Sequence, residues 1–193
     1  LGKKLRVAFL ASSTINGFEE TMRVKCDQKG IDCITYVADY NQYNQEILDQ
    51  NSGLYQFKPD ITFLILDTRH ILGDYFFSWY SVPYDDRAKI ISTKISEIEN
   101  ICNTFTKNSD SKLVVTSLQI PNYSPYGIDD GYVSQPLKKV IDEINTELFQ
   151  WNIQHKLLTY DFNQFVRKHG ENNIFNYKQF FSGDIKISTE YIP

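Results

Sequence analysis

The chain is short of the residues that build a disulfide framework, a zinc site or a membrane span. Three cysteines occur in 193 residues. Cys26, Cys33 and Cys102 are odd in number and lack Cys-x-x-Cys spacing, so they read as buried thiols of a reducing compartment. No apolar run approaches the roughly 18 residues a membrane helix needs, and no signal peptide precedes the first apolar segment. The cytoplasm is therefore the expected compartment, and the start on Leu1 rather than Met suggests a piece of a longer protein. Positive charge is not in excess either. A formal net charge of −4 gives no electrostatic reason to expect nucleic acid as a partner. No metal-ligand spacing or cofactor motif is present, so neither a metal nor a cofactor is expected.

What the chain does contain is alternation. At 193 residues it fits one domain, 1–193, with room for a core that needs no staples. An apolar run from Val7 to Ala11 ends in Ser12, Ser13 and Thr14. Gly17 then opens a segment with apolar residues at Phe18, Met22 and Cys26, the spacing of a helix. Further strands are expected at Ile31–Val37, Ile61–Leu66, Leu113–Leu118 and Leu157–Tyr160, the one at Ile61–Leu66 being the most apolar, as a central strand should be. Amphipathic helices fall between them, notably from Ala88 to Phe105 and from Leu137 to Trp151. Five strands alternating with helices predict an α/β fold. Its form is a three-layer α/β/α sandwich on a five-stranded parallel sheet, flavodoxin-like or SGNH-like in order.

In such sheets ligands gather at the carboxyl ends of the strands, which places Ser13 in any site the chain has. Ser12, Ser13 and Thr14 either cap the first helix or face a ligand. The segment Tyr75–Tyr84, rich in aromatic residues, reads as a loop. It packs over the sheet as a lid, or docks a partner or a second copy of the chain. Asn122 follows the fourth strand and either faces the same crevice or holds its own turn. Of the three histidines, His70 follows the central strand, whereas His155 and His169 lie where no ligand role is expected.

Three features together resemble one family. The first strand ends in Ala-Ser-Ser-Thr; Tyr40-Asn-Gln-Tyr-Asn-Gln-Glu-Ile-Leu-Asp49 runs on through Asn51 to Asp60 into a strand; and the chain closes on Lys186-Ile-Ser-Thr-Glu-Tyr-Ile-Pro193. This is similar to the N-terminal domain of FkbH-like proteins, whose C-terminal half is a phosphatase-type domain of the haloacid dehalogenase superfamily. The resemblance implies a part in loading a glyceryl unit onto a carrier protein, in polyketide or surface-polysaccharide biosynthesis. It also implies the carrier protein or the phosphatase-type domain as partners. The Asp-x-Asp nucleophile motif of that half is absent here, so its activity cannot reside in this chain.

The same domain resembles SGNH (GDSL-type) hydrolases. On that pattern Ser13 takes the nucleophile's place, Arg69 falls about where an oxyanion-donating Asn would be, and Lys186 stands where the catalytic His belongs. A serine hydroxyl needs an adjacent base, and the usual Asp-x-x-His is missing. Two functions follow. One is an SGNH-like accessory domain that binds a carrier, an anionic acyl donor or its phosphatase domain around Ser13, Arg69 and Lys186. The other is an esterase or acyltransferase with Ser13 as nucleophile and Lys186 or His70 as base. Arg69 either lends positive charge to the site or is spent in an ion pair with Asp67 or Asp184.

Overall fold

The computed structural model describes residues 3–154 and 157–191; His155 and the last two residues of the closing segment lie outside them. Five strands form one parallel sheet in the order β2-β1-β3-β4-β5. They are β1 (Lys3–Ala11), β2 (Ile31–Val37), β3 (Ile61–Ile65), β4 (Lys112–Thr116) and β5 (Leu158–Tyr160). This is the order of the doubly wound flavodoxin-like frame, as the alternation of elements predicts. The helices are α1 (Phe18–Asp27), α2 (Tyr43–Leu48), α3 (Gly53–Phe57), α4 (Thr68–Leu72), α5 (Tyr75–Ser78), α6 (Tyr84–Asn108), α7 (Leu137–Gln154), α8 (Phe162–His169), α9 (Glu171–Ile174) and α10 (Tyr177–Gly183).

The inner strands are covered on both faces, which is why β1 reads as an unbroken apolar run from Val7 to Ala11. Ala8 and Leu10, with Leu64, Leu113 and Val115, share one cluster with Ile91, Ile98 and Phe105 of α6 and Ile141, Ile144 and Leu148 of α7. These positions recur every seven residues in α6 and at three- and four-residue spacing in α7, so each helix turns one apolar stripe to the sheet. A smaller cluster of Val166, Ile174 and Phe175 ties α8 to α9 and to the segment beyond it.

Two asparagines fix the exit of β4. Asn145 on α7 grips Leu118 from both sides, accepting from its N–H (2.7 Å) and donating to its carbonyl (2.8 Å). Asn163 on α8 also donates to the Leu118 carbonyl (2.8 Å) and accepts from the Ile120 N–H (2.9 Å). Both side chains are buried, so neither partner has water as a substitute. Asn145→Ala is expected to cost about 1–3 kcal/mol, the penalty for a buried donor left unpaired. Urea denaturation monitored by circular dichroism measures it.

The segment Tyr75–Tyr84 is not the loop its composition suggests. It holds α5 and a 3₁₀ turn over Trp79–Ser81, and α6 begins at Tyr84. The segment also splits by exposure. Trp79 is fully buried, while Phe77 and Tyr84 are more than half exposed. Its middle is therefore core and only its flanks are free to meet anything else. The Tyr80 ring packs edge-on against Tyr126, with centroids 4.7 Å apart. Its hydroxyl donates to Asp130 (2.7 Å), which joins this segment to the loop after β4.

No described helix is long and apolar enough to cross a membrane.

Candidate functional site

The carboxyl ends of β1 and β3 lie side by side, because the two strands pair from Val7↔Ile61 to Ala11↔Ile65. The ladder runs one residue further through the Ser12 N–H, which donates to the Ile65 carbonyl (3.0 Å). Ser12 Oγ then accepts from the Asp67 N–H (2.7 Å). Ser12 is wholly buried; it braces two strand ends and has no surface with which to touch a ligand, contrary to the expectation from sequence. Helix capping is excluded for all three hydroxyl residues. The N-cap of α1 is Gly17, in the left-handed region at φ 89°, with no side chain bonded to it.

Asp67 is the hub. It caps α4 by accepting from the Arg69 N–H (2.9 Å). Its other oxygen accepts from Lys186 Nζ at 2.5 Å, and His70 Nδ1 stands 3.5 Å away. Burial by itself pushes this carboxyl up. The Lys186 ammonium and the His70 ring outweigh that and hold it well below the usual carboxylate range.

A second carboxylate faces the first across His70. Asp184 pairs with the Arg69 guanidinium, accepts from the Tyr40 hydroxyl at 2.8 Å and lies 3.4 Å from His70 Nε2. Tyr40 and His70 Nε2 are themselves 3.0 Å apart. The Tyr40 hydroxyl is pushed up by burial and by its bond to Asp184, so it stays a donor at neutral pH. Arg69 lies over the Phe180 ring, 4.4 Å from its centroid, and Lys186 approaches both Phe175 and Phe180 at 5.4 Å. Each of the two cations is thus opposed by a carboxylate. The crevice is not the positively charged one that Arg69 and Lys186 alone would make.

The segment carrying Asp184 and Lys186 is docked on Thr14. The Thr14 N–H donates to the Asp184 carbonyl (3.2 Å), its hydroxyl donates to the Gly183 carbonyl (3.2 Å), and Thr14 bridges Ile185 in parallel. Beside this contact a small cavity of about 20 Å³, lined by Asp67, Arg69, Phe76, Gln119, Phe180 and Lys186, leaves room for about one water.

Ser13 stands at the carboxyl end of β1 with only 7% of its surface exposed. Among the described residues no side chain bonds to its hydroxyl, and its own N–H has no acceptor. Lys186 and His70, the two candidate bases, are turned to Asp67, Asp184 and Tyr40 instead. Asn122 is exposed on the loop after β4 and makes no hydrogen bond to a described residue. Arg69, His70 and Lys186, singled out from the sequence, lie near one another, and Tyr40 and Phe180, which are not singled out there, lie among them. Tyr40 carries a usable signal, since it lies three residues beyond the carboxyl end of a strand adjacent to β1.

The cysteines add no nucleophile. Burial pushes the Cys102 thiol up to about 12 and the Cys33 thiol to about 11, the latter helped by Cys26 beside it. Among the described residues no cluster of His, Cys, Asp and Glu is arranged to hold a metal ion.

Comparison with known proteins agrees with this frame. The family described as FkbH, N-terminal domain, matches residues 6–193. No curated protein matches the sequence. The fold is similar to the N-terminal part of the protein BF1531 from Bacteroides fragilis, a structure containing a phosphatase domain and complexed with Mg. The TM-score is 0.83 at 19% identity, over 99% of this chain and 49% of that one. The chain thus spans about half the length of that relative. It is also similar to the acetyl xylan esterase AlAXEase (TM-score 0.54, 13% identity, 88% of this chain and 83% of that one). A catalytic mutant of Axe2, an acetylxylan esterase from Geobacillus stearothermophilus, gives the same TM-score at 12% identity, over 98% of this chain and 90% of that one.

Proposed function

Because this chain belongs to the FkbH N-terminal domain family, we propose that it is a non-hydrolytic, SGNH-like accessory domain in acyl transfer to a carrier protein. The transfer is of the glyceryl type associated with FkbH-like proteins. The domain's crevice binds a carrier, an anionic acyl donor or a phosphatase-type domain rather than cleaving an ester. One observation carries the reading: Ser13 holds the nucleophile's place without a base. A serine hydroxyl is unreactive at neutral pH unless a neighbouring group takes its proton. Lys186 is spent on a buried carboxylate, and both nitrogens of His70 face other groups. The exposed Phe77 and Tyr84 supply a surface for a second copy or another partner. The three free cysteines suit a reducing cytoplasm.

One observation favours a second reading, an esterase or acyltransferase with Ser13 as nucleophile. The Ser13 N–H has no acceptor among the described residues, which leaves it available as an oxyanion donor. A fluorophosphonate probe separates the two. The accessory reading expects no stoichiometric labelling of the wild-type protein. Labelling that disappears in Ser13→Ala would establish an activated serine and replace this reading with the second.

A further inference from the structure

The groups around Asp184 form a more complete recognition site than an ordinary surface ion pair. Two donors converge on one carboxylate, the Tyr40 hydroxyl and the Arg69 guanidinium, and the His70 ring stands beside them with Nε2 3.4 Å from Asp184. A guanidinium with flanking neutral donors is how proteins recognise a carboxylate or phosphate group. Tyr40 comes from the turn after β2, and Arg69 and His70 come from α4. Asp184 comes from elsewhere, the segment after α10. It holds a left-handed backbone at φ 56°, a conformation that a residue with a side chain adopts at a cost.

Tyr40, Arg69 and His70 are also surrounded by groups other than the Asp184 side chain. Asp67 anchors the Arg69 backbone and stands beside His70 Nδ1. Phe180 lies beneath the Arg69 guanidinium. The charge of Asp67 is already met by Lys186. Subtracting the Asp184 side chain therefore leaves Arg69 as an unopposed cation in a partly buried socket beside the Tyr40 hydroxyl and the His70 ring.

We propose that Tyr40, Arg69 and His70 form a binding site for the carboxylate or phosphate group of a small molecule, filled in this state by Asp184 of the same chain. An incoming anion takes the place of the Asp184 side chain. Asp184 is then an internal competitor, and it lowers the apparent affinity for any external anion by the fraction of time the site is closed. This inference rests on the reading of the crevice as a binding site and specifies its ligand class.

The test is anion rescue of Asp184→Ala, followed by thermal unfolding in sodium acetate, sodium formate or inorganic phosphate, with sodium chloride at matched ionic strength. The variant is expected to melt lower than wild type and to recover saturably with at least one of the three anions but not with chloride. Acetate or formate recovery alone would identify a carboxylate site, and phosphate recovery alone a phosphate site. Arg69→Met in the same background should abolish the recovery. Recovery no larger than in chloride, or undiminished by Arg69→Met, would overturn the proposal. Should Asp184→Ala not fold, the wild-type protein serves. Its His70 ring resonances, assigned by their loss in His70→Gln, should move with acetate or phosphate and not with chloride; their failure to move would refute the site. Serine labelling is unaffected by either result. An activated Ser13 would remove the accessory reading and leave the anion site standing, whereas failed rescue without labelling would remove the anion site alone.

Discussion

Lys186→Met is expected to destabilise the protein by about 3–5 kcal/mol at neutral pH, the cost of leaving a buried carboxylate without its cation. Asp67 is only 4% exposed, and the substitution keeps much of the bulk over Phe175 and Phe180 while removing the charge. The pH dependence gives a second readout. In the wild type the folded-state carboxyl titrates below its ordinary value of 3.8. Its stabilising contribution is therefore complete above that value and is lost as the pH falls towards the lower folded one. In Lys186→Met, burial is opposed only by His70, so the deficit is largest near neutrality and narrows in acid as the carboxyl takes up a proton. Asp67→Asn in the same background should recover much of the loss. Urea denaturation of these variants and the wild type, from about pH 3 to about pH 8, measures both the loss and its pH dependence. A loss below about 1 kcal/mol at neutral pH would put the pair in the class of weak surface bridges and remove its structural role.

Trp79→Ala is expected to cost about 3–5 kcal/mol, the range for truncating a large buried aromatic side chain. Trp79 is fully buried. Its indole N–H donates to the Gln135 carbonyl at 2.9 Å, and the Arg87 guanidinium lies 5.5 Å from its ring. Arg87 is itself buried and donates to the carbonyls of Val82 (3.1 Å) and Ser134 (2.8 Å). One side chain thus anchors the start of α6 and the approach to α7 together. At about 2–4 °C per kcal/mol for a chain of this size, calorimetry should show a clear fall in Tm. Trp79→Phe, which keeps an aromatic ring and loses the N–H, should fall by less. Near-wild-type melting of Trp79→Ala would mean that this segment is not part of the cooperative core.

The inner strands are legible in the sequence as short, mainly apolar runs bounded by polar turns, and β2 by its β-branched residues; the errors are at their ends. The fourth strand is expected to reach Leu118, yet β4 stops at Thr116, since the backbone of Leu118 is claimed by the side chains of Asn145 and Asn163 and not by a neighbouring strand. Such a claim comes from residues 27 and 45 positions away and leaves no local trace. The aromatic run at Tyr75–Tyr84 misleads for a similar reason, because its helical turns are set by the burial of Trp79 against distant groups. In the site, Ser13, Arg69, His70 and Lys186 are identifiable from their places after strands or in the family pattern. That both cations are matched by carboxylates is not decided by the sequence, in which Asp67 and Asp184 are equal candidates to partner Arg69.

The contact between Thr14 and the segment from Gly183 has a consequence in time. These residues are 169 positions apart. At a synthesis rate of about 5–20 residues per second, roughly ten to thirty seconds separate their appearance on a ribosome. For that interval Thr14 lacks the segment it docks, and Asp67, once made, has no cation. A chaperone or ligand present during translation therefore meets Thr14 and Asp67 before the segment that engages both has been made.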